Sequence, residues 1–166
     1  GVAHDITDRF RAEKALELSA AALAAAEARH GAILKALPDW VSLLTPDGVP
    51  ARLLDAWFEG RYELITSGPQ LDELRLVTRH PRVRRFIGPA TAGSLVNDLR
   101  YFAELLTALP NVDVSEDPAD NFLLAMAEAG GADYLATGDK RDVLVLKRHG
   151  PTRIVTAKRL LQIVER

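Results

Sequence analysis

From about residue 50 onward, short apolar runs alternate with amphipathic stretches of helical periodicity. The strand-like runs are 62–66, 112–115, 133–137 and 152–156. The helical stretches are 50–59, 69–79, 90–108, 118–130, 140–148 and 157–165. Strands that alternate with helices favour a parallel sheet covered on both faces. The sequence therefore predicts an α/β fold of three layers, with a parallel sheet flanked by helices.

Residues 1–48 differ from the rest in composition. Residues 8–30 are rich in Ala, Glu, Leu, Lys and Arg without Pro or Gly, which favours one long helix. Its apolar face is mostly alanine, so we expect it to pack on a partner, and a second copy of this chain is one such partner. Gly31 interrupts this helix, and Pro38 ends the helical stretch that follows. Residues 40–45 predict a buried strand with a turn after it.

Charge and composition narrow the classes of function. The net charge of −2 gives no global field for a polyanion, so binding to nucleic acid requires a local basic patch. The sequence has no cysteine, which excludes disulfides and thiolate metal sites. No apolar run approaches the roughly 18 residues of a membrane span, and acids near the first residue argue against a signal peptide. We therefore expect a cytoplasmic protein.

Acidic residues follow three of the predicted strands. Asp72 and Glu73 come after 62–66, Asp117 and Asp120 after 112–115, and Asp139 after 133–137. Ligand sites in open parallel sheets lie beyond the carboxyl ends of the strands, so these carboxylates are expected to converge. Oxygen ligands that converge in this way suit a hard cation such as Mg²⁺, which can promote phosphodiester hydrolysis.

Each acid also has a purely structural interpretation. Asp117 is a good N-cap for a helix that begins at Pro118, and Asp120 would then complete a capping box. Asp139 is equally suited to cap the helix that follows it, and Glu73 to lie on a solvated helix face. Spacing alone leaves both interpretations open.

A basic run is the clearest candidate for a phosphate-binding surface. Residues 75–85 contain five arginines and no acid, namely Arg75, Arg79, Arg82, Arg84 and Arg85. A second cluster consists of Lys140, Arg141, Lys147 and Arg148. Either cluster could bind RNA phosphates, and either could be an ordinary solvated face.

Several segments resemble the PIN domain family, most closely the bacterial toxin components related to VapC-type toxins. The resemblance begins with VPARLLDAW at 49–57, YELITS at 62–67 and LDEL at 71–74. It continues with a DPADN helix start at 117–121 and a TGD strand end at 137–139, which are specific as a pair.

The resemblance implies a ribonuclease that depends on Mg²⁺ or Mn²⁺, with RNA as substrate and an antitoxin as partner. Carried over position by position, the catalytic and metal-binding acids fall on Glu73, Asp120 and Asp139. Asn121 and Thr137 match neighbours of the family site and are expected to support those acids.

The first 48 residues depart from this family. PIN domains open with a central strand that ends in Asp-Thr-Asn, whose first Asp is a principal metal ligand, and this sequence lacks that motif. Residues 1–48 resemble instead a linker helix and strand segment of a PAS-containing sensor. The sequence thus predicts two parts, 1–48 and a PIN-like domain at 49–166 without the usual first strand. Asp47 is the best substitute for the missing acid, ahead of Asp39.

Three functions stay open at this point. The first is a metal-dependent endoribonuclease, impaired because the first catalytic Asp is missing. The second is a non-catalytic PIN-like module that binds RNA or a protein partner. The third is a signalling fragment linked to a PAS-type segment. Because small misplacements of catalytic groups cost on the order of 100-fold in rate, we expect poor cleavage of RNA or none.

Overall fold

A computed structural model describes residues 30–35, 47–138 and 143–166 of the chain. The strands are β1 (Gly31–Leu34), β2 (Glu63–Ser67), β3 (Glu104–Leu106), β4 (Tyr134–Thr137), β5 (Arg148–His149) and β6 (Thr152–Thr156). The α-helices are α1 (Val49–Phe58), α2 (Gly68–Arg79), α3 (Pro81–Arg84), α4 (Pro89–Phe102), α5 (Asn121–Ala129) and α6 (Ala157–Val164). Two 3-10 turns cover Pro118–Asp120 and Leu144–Leu146.

The six strands form one sheet in the order β3-β2-β1-β4-β6-β5. All neighbouring pairs are parallel except β5 and β6, which are antiparallel. Helices cover both faces of this sheet, so the predicted α/β class with a mostly parallel sheet between helices is confirmed.

Alternation along the inner strands separates two apolar cores. Ala32 packs in the core formed with α1, α2, α4 and α6, whereas its neighbour Ile33 packs in the core formed with α5. Leu64 and Ile65 divide in the same way on β2. Because successive side chains of a strand point to opposite faces, inner strands with both faces covered are apolar throughout.

The inner strand β1 corrects the sequence analysis. The helical stretch expected after Gly31 is wrong over residues 31–34, which lie between β2 and β4 and pair in parallel with both. Gly31 exchanges two hydrogen bonds with Asp133, through its amide and its carbonyl, each of 2.9 Å. A Cβ on Gly31 would lie 3.0 Å from Ile65 Cδ1, so the close approach of β2 favours glycine here. The sheet therefore includes residues that precede position 49.

Two further expectations are wrong around residues 103–115. The helix predicted over 90–108 ends at Phe102, and the chain then forms the edge strand β3 beside β2. Because β3 occupies the place next to β2, residues 112–115 do not form the predicted strand. The amides of Val114 and Ser115 donate instead to the side chain of Asn121, at 3.0 and 2.8 Å.

The C-terminal region agrees with the sequence except near residue 145. Strand 152–156 is confirmed, and α6 begins at residue 157 as expected. The helix predicted over 140–148 is wrong for 144–148, where a 3-10 turn leads into the short antiparallel strand β5. Residues 139–142 lie outside the described part of the chain, as do residues 8–29 of the predicted helix and the predicted strand 40–45.

Ile33 provides a direct test of the place of β1 in the core. Its side chain is fully buried, so replacing Ile33 with Ala should lower the free energy of unfolding by about 2–5 kcal/mol. Leu76→Ala is the control, because Leu76 is 69% exposed and its truncation should cost less than about 0.5 kcal/mol. Urea unfolding measures both values. Similar small losses for the two variants would contradict a central β1.

Candidate active site

Lys35 directly follows β1 and lies at the carboxyl edge of the sheet. Its amide donates to the carbonyl of Ala136 at 2.8 Å, so β4 fixes the Lys35 backbone. Its Nζ lies 2.9 Å from each of the two carboxylate oxygens of Asp120. The side chains of Lys35 and Asp120 are only 14% and 7% exposed. The site therefore contains a nearly buried ion pair between the central strand and the start of α5.

Asp120 is the last residue of the 3-10 turn that precedes α5. Asp117 caps this turn by accepting a hydrogen bond of 2.9 Å from the amide of Ala119, which confirms its predicted role as N-cap. Asp120 instead directs both carboxylate oxygens to Lys35, so its place at the sheet edge is not explained by capping alone. Asn121 fixes the loop before the turn through its bonds to the amides of residues 114 and 115.

Glu73 lies on α2, close to the ion pair. The pKa of its carboxyl is raised, because neighbouring protein partly removes it from water and because the negative charge of Asp120 repels it, while Lys35 opposes the rise. Since the folded-state pKa exceeds the ordinary value, deprotonation of Glu73 costs stability as the pH rises through that range. The structure thus brings two of the three predicted acids, Glu73 and Asp120, into one electrostatic cluster.

Gln70 connects the strand ends beside this cluster. Its amide nitrogen donates to the carbonyl of Leu34 at 2.7 Å, and its amide oxygen accepts from the Thr66 hydroxyl at 2.8 Å. These two bonds hold the ends of β1 and β2 against the first turn of α2. Because Lys35 follows Leu34 immediately, Gln70 also restricts the direction in which the Lys35 side chain leaves the sheet.

The other predicted site residues are Asp139, Thr137 and the two possible substitutes for the missing acid, Asp39 and Asp47. Asp139, like Asp39, lies outside the described residues. Thr137 is buried at the end of β4. Asp47 is exposed. Within residues 30–35, 47–138 and 143–166, no group of three His, Cys, Asp or Glu side chains could hold a metal ion.

The described side chains therefore do not fit a divalent cation. Mg²⁺ requires oxygen ligands, and Glu73 and Asp120 are the two acids that could provide them here. Both oxygens of Asp120 already contact an ammonium group, which repels a cation.

The arginines of residues 75–85 extend from α2 across α3. Arg79, Arg82, Arg84 and Arg85 are exposed, while Arg75 is half-buried and pairs with Asp72 at 2.9 Å. Phe86 follows directly and is 55% exposed. In the second basic cluster, Lys147 and Arg148 are exposed, and residues 140 and 141 lie outside the described part.

Sequence reasoning missed Lys35 and Gln70. The available signal for Lys35 was the apolar run Gly-Ala-Ile-Leu at 31–34, which a charged residue follows. Short apolar runs do not distinguish a strand from a helical turn, and alanine and leucine favour the helix. Gln70 carries no signal in one sequence, because a glutamine at the start of a helix is ordinary.

Comparison with known proteins agrees with this architecture. The family model described as PIN domain matches residues 38–141, which is more than half of the chain. The chain therefore belongs to the PIN domain family. This family suggests a nuclease-type module, and PIN domains usually bind divalent metals.

The chain is also similar to the uncharacterized protein MJ1680 of Methanocaldococcus jannaschii. The two are 28% identical over 109 residues, which cover 64% of this chain and 68% of that protein. No solved structure matches the chain. Among the helices of the described residues, none has the length and apolar character needed to span a membrane.

Proposed function

We propose that this protein is a PIN-type ribonuclease module, related to VapC-type toxins and acting in the cytoplasm, whose metal-dependent cleavage is impaired. The observation that carries this proposal is the position of Lys35. The family resemblance calls for a carboxylate at the end of the central strand, and this chain has an ammonium group directly after β1. A cation there opposes the binding of Mg²⁺ or Mn²⁺.

In this proposal Glu73, Asp120 and Asp139 are the catalytic and metal-binding acids of the family site. The proximity of Glu73 to Asp120 supports two of these assignments. The assignment of Asp139, which lies outside the described residues, rests on the family resemblance of the TGD sequence at 137–139. When bound, Mg²⁺ or Mn²⁺ would stabilise charge on a phosphodiester. Lys35 opposes the binding of such a metal ion, because its ammonium group neutralises the charge of Asp120.

The second candidate function is a non-catalytic module that binds RNA or a protein partner. The observation in its favour is the exposed basic surface formed by Arg79, Arg82, Arg84 and Arg85. Guanidinium groups bind phosphates, and the exposed ring of Phe86 offers a surface on which a base can stack. Three further expectations complete the proposal. They are an antitoxin as partner, a homodimer, and a PAS-like origin of residues 1–48.

RNA cleavage tests the proposed impairment. In 5 mM Mn²⁺, the purified protein should cleave a structured RNA no faster than its Asp120→Asn variant does, because Lys35 already holds Asp120. Its cleavage rate should be on the order of 100-fold below that of a competent site. EDTA provides the background rate. Cleavage that requires Mn²⁺ and disappears in Asp120→Asn would contradict the proposal and establish an active metal site.

RNA binding tests the basic surface separately. Replacing Arg82, Arg84 and Arg85 with alanine should weaken binding to single-stranded RNA and lower the slope of log K against log salt by about 0.7 for each phosphate that is no longer neutralised. The matched control replaces the exposed Arg153, Arg159 and Arg166, which removes the same charge outside both basic clusters. Fluorescence anisotropy measures both. Equal losses of affinity in the two triple variants would show that net charge, and not this surface, binds RNA.

A further inference from the structure

We propose that the Lys35 ammonium group takes the place of the divalent cation, so that the protein's own side chain fills and closes this edge of the sheet. The inference rests on the proposed function, since it concerns the same acids. It goes further because the site would exclude divalent cations, and Lys35 would be the one residue responsible for their exclusion. The observation behind it is the contact of Lys35 Nζ with both oxygens of Asp120 at 2.9 Å.

The backbone holds Lys35 in this position. The bond from its amide to Ala136 and the bond from Gln70 to the Leu34 carbonyl engage both polar groups of the peptide unit that joins Leu34 to Lys35. The side chain is only 14% exposed, so the ammonium group has little access to water other than by leaving Asp120. A divalent cation that enters must therefore displace the nearly buried ammonium group of Lys35 from Asp120. The cation must also lose part of its own hydration shell.

Charge also favours the ammonium over a metal ion in the described part of the site. Lys35 and Asp120 neutralise each other, and Glu73 is the other acid that senses both. A buried pair is stable when each charge meets its partner at hydrogen-bond distance, and removing one partner leaves the other uncompensated. An added divalent cation would place further positive charge beside Lys35, which is unfavourable because the Lys35 and Asp120 side chains are nearly buried.

Replacing Lys35 with Asp should reverse this preference. The variant gains a carboxylate at the strand end and loses the internal cation, so Glu73 and Asp120 become available as oxygen ligands. At 1 mM Mn²⁺ its Tm should rise by about 5–10 °C, the shift expected when the ligand exceeds its Kd roughly 100-fold in a chain of this size. The Tm of the unchanged protein should move by less than about 1 °C under the same conditions.

Arg61→Asp is the matched control for the charge change. Arg61 is exposed at the amino end of β2, on the opposite edge of the sheet, and its replacement places a new carboxylate beside Glu59, its present ion-pair partner. This variant should show no Mn²⁺-dependent rise in Tm. A rise equal to that of Lys35→Asp would mean that any added acid binds Mn²⁺, and it would overturn the inference.

A second variant keeps the test valid if Lys35→Asp does not fold without metal. Lys35→Met removes the ammonium group without adding a negative charge, and it should bind Mn²⁺ measurably where the unchanged protein does not. Isothermal titration calorimetry of the full chain measures the binding of Mn²⁺ directly. Submillimolar binding of Mn²⁺ by the unchanged protein that Asp120→Asn abolishes would overturn the inference.

The measurement contains no RNA, so its outcome is separate from that of the cleavage assay. A protein that binds Mn²⁺ through Asp120 and fails to cleave RNA would contradict the inference and leave the proposed impairment standing. A protein that excludes Mn²⁺ and yet cleaves RNA in EDTA would support the inference and contradict the proposed metal-dependent function.

Discussion

The ion pair between Lys35 and Asp120 is the interaction on which the chemistry of this protein depends. Both side chains are nearly buried, so each has lost most of its hydration and needs the other as compensation. The pair connects the inner strand β1 with the turn before α5, two elements that are far apart in sequence. Because the pair joins β1 to this turn, it fills the carboxyl edge of the sheet. In the proposed account it also controls which cations can approach Asp120.

The placement of this pair follows from the parallel sheet. Strands β2, β1, β4 and β6 all end at the same edge, so residues that follow them are brought together whatever their chemistry. In a metal-dependent nuclease site this convergence would concentrate negative charge, which a cation must neutralise. Here Lys35 provides that neutralisation from within the chain. The ion pair thus balances the charge of Asp120 at this edge, and the impairment that we propose follows from that balance.

The sequence predicted the features that depend on local pattern. Strand β6 and helices α1, α2 and α6 have clear periodicity and were placed within about one residue. Glu73 and Asp120 were expected to approach, and they do. Asp120 reaches the site from the 3-10 turn before α5, however, because the strand expected at 112–115 does not form. The strands β1 and β3 were missed, because Ile33 is the one residue in Gly-Ala-Ile-Leu and Glu-Leu-Leu that clearly favours a strand. Pairing with β2 and β4 gives these segments their structure, and one sequence does not show which neighbours a segment will have.

Helix α2 carries residues of both proposed functions along its length. Glu73 lies among the acids of the candidate site, and Arg79 belongs to the exposed basic surface that continues through α3. Recognition of RNA and cleavage of RNA would therefore involve neighbouring but distinct side chains. In the proposed function, affinity for RNA would therefore not depend on the charge at the end of β1.

A double-mutant cycle on Lys35→Met and Asp120→Asn tests the central claim most directly, because it isolates the free energy of the pair from the effects of each substitution. Urea unfolding of the four proteins at pH 7 gives the coupling. A buried pair that controls the site predicts a coupling of about 2 kcal/mol or more, with the double variant more stable than either single variant. A coupling of less than about 0.5 kcal/mol, the value of an exposed ion pair, would contradict it.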